Sequence, residues 1–201
     1  MYIRATDAPY YYHKTMNAYV VAIHEAGHAA SAHALGYGIV GVDFYECPAG
    51  SGQYAGGLAR EYNQSLPSLS VDQMDCRRIE SEIVVLMAGE VAQLVFNLPI
   101  EDIGVSDDRA RVESLLRRHS DTRDSVAADT FESNSVDIKQ ILYARTTELI
   151  VQYRASIERL ANEFIRRKPN GYLTGDQVIK YLGKPKAHKP QTSNEGATEK
   201  P

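Results

Sequence analysis

His24-Glu25-Ala26-Gly27-His28 sets two imidazoles four residues apart, with a carboxylate directly after the first. On a helix, positions four apart share a face, one turn above the other, so both rings can reach a single cation. Zn2+ accepts nitrogen donors of this kind. Given only three protein ligands, it keeps a further position for a water molecule, whose pKa it lowers toward ~7. Glu25 projects about 100° around the helix axis from His24, where it can take a proton from that water instead of binding the ion. The chemistry expected is metal-assisted hydrolysis, with His24 and His28 as zinc ligands and Glu25 as general base.

A third ligand has to come from elsewhere in the chain. Glu80, Glu82, Glu90, Glu101, Asp102, Asp107 and Asp108 are the acids on or beside other helical segments, and spacing does not choose among them. Glu46 lies at a useful separation from the histidines but at a strand end before Cys47-Pro48, which makes it an outsider. Asp107 and Asp108 have a plainer reading as charges in the first turn of a helix capped by Ser106, worth ~0.3–1 kcal/mol. His33 falls on a different face from His28 and is expected to be structural or solvated.

The elements that must position these residues can be read from periodicity. Residues 16–35 are Ala-rich, with Val20, Ile23, Gly27, Ala30 and Ala34 at three- and four-residue steps, and predict a helix that Gly36 and Gly38 end. Ile39–Tyr45 alternates in the β sense, and Tyr54–Ala59 can return beside it after a glycine-rich turn. A long central helix is expected over Val71–Phe96, closed by Pro99. A further helix follows from about Asp107 to His119, then another over Val136–Arg166, and a short capped one after Thr174. The fold class expected is mainly α: a single helical domain over 16–183 with a small β-sheet or hairpin, an N-terminal arm at 1–15 and a disordered tail at 184–201.

Composition narrows the function classes. With 24% charged and 43% hydrophobic residues in a chain of 201, a folded core is within reach. A net charge of −4 gives no basic field for polyanions, so nucleic acid is not an expected partner. Cys47 and Cys76 form no metal-binding or disulfide spacing, and a reducing compartment suits them. The longest apolar stretch, Ile83–Gly89, is far short of the ~20 residues of a membrane span, so no span is expected and the localisation expected is cytoplasmic.

Three segments together resemble the peptidase domain of the FtsH family of membrane-bound, ATP-dependent zinc proteases. Val21-Ala22-Ile23-His24-Glu25-Ala26-Gly27-His28-Ala29 is similar to that family's active-site helix. Met87–Phe96 is similar to its Leu-Ala-Gly-Arg-Ala-Ala-Glu-Glu-Leu-Val-Phe segment, with Glu90 and Gln93 standing in place of the Arg and the first Glu. Gly104-Val105-Ser106-Asp107-Asp108 resembles the stretch that supplies the family's third zinc ligand. By that match Asp108 is the ligand and Asp107 its neighbour. The likeness extends over about residues 16–183 and implies an FtsH-protease-domain-like fold and, as in that family, a homo-oligomeric ring of six.

No GxxxxGK[ST] phosphate-binding loop occurs in the sequence. The function expected is therefore a zinc metalloendopeptidase without ATPase module or transmembrane helices, cutting unfolded or flexible polypeptides, or folded ones when a separate ATPase partner delivers them. A substrate could add as a strand to the small sheet. The alternative is a catalytically silent relative acting as adaptor or regulator of a related protease or ATPase; the intact Glu25 speaks against it. A binding role for the tail lysines 184, 186 and 189 rests on three charges alone.

Overall fold

The computed structural model describes residues 18–61, 71–100, 102–126 and 135–184, with backbone alone at 71–75, 102–104, 122–126 and 135–137. The arm at 1–15, and the tail beyond Lys184, lie outside the described residues. In chain order the elements are α1 (Ala18–Ala34), β1 (Gly38–Glu46), β2 (Tyr54–Glu61), α2 (Val71–Val95), α3 (Asp102–Val126), α4 (Ser135–Arg166), β3 (Asn170–Thr174) and α5 (Gly175–Leu182). The fold is mainly helical with a small antiparallel sheet.

The central helix is α1, not the longer α2 that sequence pattern nominated. Every residue from Val20 to His33 is buried, as expected of a helix with small or apolar residues on all sides. Its alanines and Gly27 let α2, α4 and the sheet close in around it. The α1–α2 crossing is especially tight: a Cβ on Gly27 would lie 2.6 Å from the Ala88 carbonyl oxygen and 2.7 Å from the Ala92 Cβ. Gly36, at φ 81°, ends α1, with Tyr37 N–H donating to the Ala32 carbonyl at 2.9 Å and Gly36 N–H to that of His33 at 3.1 Å. Gly38 plays no part in this cap and begins β1 instead.

The sheet has strand order β2-β1-β3, all antiparallel. Val42 and Phe44 of β1 face the helices and are buried, while Asp43 and Tyr45 face out. Phe44 stacks between Tyr54 of β2 and Phe164 of α4, at centroid distances of 5.1 and 5.7 Å. The third strand was not expected. Pro169 and Gly171 mask it as a turn, although Gly171 and Leu173 alternate inward against an outward Asn170, Tyr172 and Thr174.

Helix α3 starts at Asp102, five residues earlier than expected, so Ser106 lies inside it and caps nothing. Val105 is 1% exposed, and burying it draws the extra turn onto the body of the fold in preference to a local cap. Helix α4 buries Leu142, Thr146, Ile150, Tyr153, Ile157, Leu160 and Phe164 at helical steps, while Ile141 faces solvent. Helix α5 begins with the expected cap: Thr174 N–H donates to Gln177 Oε1 at 3.1 Å, and the Gln177 N–H is 3.5 Å from the Thr174 hydroxyl. Among the described residues no helix is long and apolar enough to cross a membrane.

Glu163 ties the end of α4 to β3. Its carboxylate accepts from Arg166 at 2.6 and 2.9 Å and from Arg167 at 2.7 Å, and Arg167 in turn donates to the Tyr172 carbonyl at 3.1 Å. The Arg166 hydrogen bond, opposed by desolvation and aided by Arg167 and Tyr181, holds the Glu163 carboxyl down at about 2. A carboxyl held below its unfolded value of ~4.3 stabilises the fold above that pH, and the contribution disappears as pH falls toward about 2. Denaturant unfolding of wild type and E163Q should therefore show a stability gap at pH 6 that closes between pH 5 and pH 2. A gap that is constant across this window contradicts the assignment. At the α1–α2 crossing, G27A should lower stability by about 1–3 kcal/mol through overpacking, read from the denaturant midpoint.

Candidate metal centre

The two imidazoles rise from consecutive turns of α1 and meet edge to face, with ring centroids 4.5 Å apart. Their Nε2 atoms are 2.9 Å apart. Asp108, on the second turn of α3, brings Oδ2 to 3.0 Å from His28 Nε2 and 3.4 Å from His24 Nε2. The early start of α3 thus puts Asp108 well inside the helix, where first-turn stabilisation does not account for it.

The outer ring nitrogens fix which way the inner ones point. His28 Nδ1 lies 2.7 Å from the Val85 carbonyl oxygen, which can only accept, so the proton sits on Nδ1. His24 Nδ1 lies 3.3 Å from Gln93 Oε1, and the Gln93 amide is oriented because its Nε2 donates to the Pro99 carbonyl at 3.3 Å. Pro99 is carried there by the cap of α2, in which Asn97 takes φ 55° and Leu98 N–H donates back to the Gln93 carbonyl at 2.9 Å. With both protons spent outward, three acceptor atoms converge on one point: two bare imidazole nitrogens and a carboxylate oxygen.

Such a cluster repels itself unless something positive lies among its members. The carboxylate answers to the same demand: burial opposes its ionisation, and hydrogen bonds from His24 and His28 hold the Asp108 carboxyl well below the usual range only where the facing nitrogens carry protons, the place a cation takes when they are bare. The triangle of 2.9, 3.0 and 3.4 Å is close to the ~3.3 Å edge of a tetrahedral shell with bonds of ~2.05 Å. Among the described residues His24, His28 and Asp108 are a group able to hold a metal ion. The donor set of two imidazoles and one carboxylate suits Zn2+ and leaves a position open.

Glu25 sits beside this cluster, 7% exposed, under β2. Burial pushes its carboxyl up to about 7; His24 works against this, and Asp108 and Asp43 add to it. It is not part of the converging group. Gly89 of α2 makes room for the His24 ring, since a Cβ there would fall 2.6 Å from Nδ1.

Four of the remaining candidate acids are engaged elsewhere. Glu80 pairs with His119 at 3.2 Å, Glu82 with Arg60 and with the Tyr37 hydroxyl at 2.9 Å, and Glu90 with Arg109 at 2.7 and 2.9 Å. Glu46 accepts from Gly52 N–H at 2.6 Å in the β1–β2 turn. Asp107 is exposed, and Glu101 and the side chain of Asp102 lie outside the described residues. His33 is structural: its Nε2 donates to the Gly183 carbonyl at 2.8 Å, fastening α5 to α1. Gln93 stands out in the sequence only as a departure from a family pattern. Its signal is a polar residue seven positions past Leu86 on the buried stripe of α2.

Compared with known proteins, the sequence matches no family model and no curated protein.

The Gln93 contact yields a direct test. Q93L, which keeps bulk but loses the acceptor, should weaken zinc binding by about 10- to 100-fold in competition titration with a chromophoric chelator. Unchanged affinity would show that the His24 Nδ1 contact does not orient the ring.

Proposed function

We propose that this protein is a zinc-dependent endopeptidase acting on unfolded or flexible polypeptide segments. The observation that carries the proposal is the convergence of His24, His28 and Asp108 on one point with Glu25 beside it. Bound there, zinc would polarise the scissile carbonyl and acidify a water molecule. Glu25 then takes a proton from the attacking water and returns it to the departing amide nitrogen, so that one C–N bond breaks as one C–O bond forms. Burial raises the proton affinity of the Glu25 carboxyl, which suits it to carrying a proton.

Polypeptide as substrate is supported by the sheet. Among the described residues β2 is an edge strand and passes over Glu25, so an extended chain pairing with that edge would run past the proton carrier. The three segments that resemble FtsH peptidases point to the same chemistry, and on that likeness the reading includes assembly into rings, a separate ATPase as partner for folded substrates, and a cytoplasmic setting. An adaptor without catalysis would have no use for a carboxyl buried next to the ligands.

Purified protein should carry about one zinc per chain and cut casein, and a chelator should abolish the cleavage. E25Q should retain zinc and lose activity by about 10²- to 10⁴-fold, whereas H24A should lose both. Cleavage by zinc-free protein, or full activity in E25Q, would overturn the proposal.

A further inference from the structure

We propose that Gly56 is a positioning residue for Glu25: the bare backbone of β2 lies against the glutamate stem and fixes where its carboxylate can go. This rests on the peptidase reading of the site. A Cβ on Gly56 would overlap the Glu25 side chain, falling 2.7 Å from Cδ, and would lie 2.8 Å from the Asp43 carbonyl oxygen. At the neighbouring Gly57 the corresponding point is in open space. Two adjacent glycines thus have opposite roles, one set by contact and one free of it.

β2 has little freedom to retreat from an added methyl. Gly56 is paired in register with Phe44, which is 1% exposed. Two residues before Gly56, Tyr54 stacks on that same Phe44, and Lys168 Nζ covers the Tyr54 ring at 4.9 Å from its centroid. Four residues after it, Arg60 is ion-paired with Glu82 on α2, and its guanidinium lies 5.2 Å from the Tyr37 ring centroid. With the strand clamped on both sides of the contact, a methyl at position 56 displaces the carboxylate stem. The three atoms nearest the added Cβ belong to Glu25 and Asp43, none of them to His24, His28 or Asp108. Gly56 therefore governs the proton carrier separately from the metal ligands.

The test compares wild type, G56A, G57A, E25A and the G56A/E25A double variant by zinc content, casein kinetics and thermal unfolding. In G56A, zinc content and KM should stay as in wild type while kcat falls by about 100-fold, the order expected for a misplacement of ~1 Å. G57A, on the same strand but clear of Glu25, should keep the wild-type kcat and zinc content. The loss of Tm caused by G56A should shrink by at least half in the E25A background, because the side chain it collides with has gone. Should G56A alone fail to fold, recovery of cooperative unfolding in the double variant supports the contact, and failure there too contradicts it. G56A with kcat within twofold of wild type overturns the inference, as does zinc loss in step with activity. Inactive wild type overturns the peptidase reading instead, so the two failures are distinguishable.

Discussion

Three electron-rich atoms held within hydrogen-bonding distance of one another, in a nearly dry setting, are the constraint around which this fold is arranged. Two imidazole nitrogens and a carboxylate oxygen would drift apart if left to their own repulsion. The Val85 carbonyl and the Gln93 amide hold the two rings in place from behind, and the Pro99 carbonyl, one step further out, holds the amide. A proton or a metal cation resolves the repulsion, and only the cation uses all three donors at once.

The architecture follows from where that cluster has to sit. Helix α1 is enclosed on all sides, so His24, Glu25 and His28 are held by their surroundings and the neighbouring elements must come close. Gly27 admits α2, Gly89 yields space to the His24 ring, and Gly56 brings β2 onto Glu25. A side chain at Gly27 would press on the backbone of α2, one at Gly89 on the His24 ring and one at Gly56 on Glu25. α3 contributes Asp108 from its second turn because burial of Val105 extends the helix toward its N-terminus.

Local information was enough for the parts of the site that are near in sequence. His24, Glu25 and His28 lie on one turn-and-a-bit of helix, and helical geometry alone dictates how they project. The helices themselves were legible because their buried residues recur at three and four steps, and the Thr174-Gln177 cap declared the start of α5. Asp108 was one of several acids by spacing, singled out only through a family likeness, because its position depends on how α3 docks on α2. Gln93 was illegible for the same reason: its partner is 69 residues away in the chain. β3 was hidden by Pro169 and Gly171, whose turn chemistry competes with a period-two pattern only five residues long. The expected Ser106 cap yielded to the burial of Val105, a tertiary gain that no local rule anticipates.

The central claim is that His24, His28 and Asp108 form the first coordination shell of one zinc ion. Zinc K-edge X-ray absorption on the purified protein reads that shell directly. The account predicts nitrogen and oxygen scatterers only, with two imidazole rings in the outer-shell signal at Zn–N distances of ~2.0–2.1 Å, and a D108A spectrum that has lost an oxygen ligand but kept both rings. Sulfur scattering from Cys47 or Cys76, a shell without imidazole, or a D108A spectrum identical to wild type would contradict it.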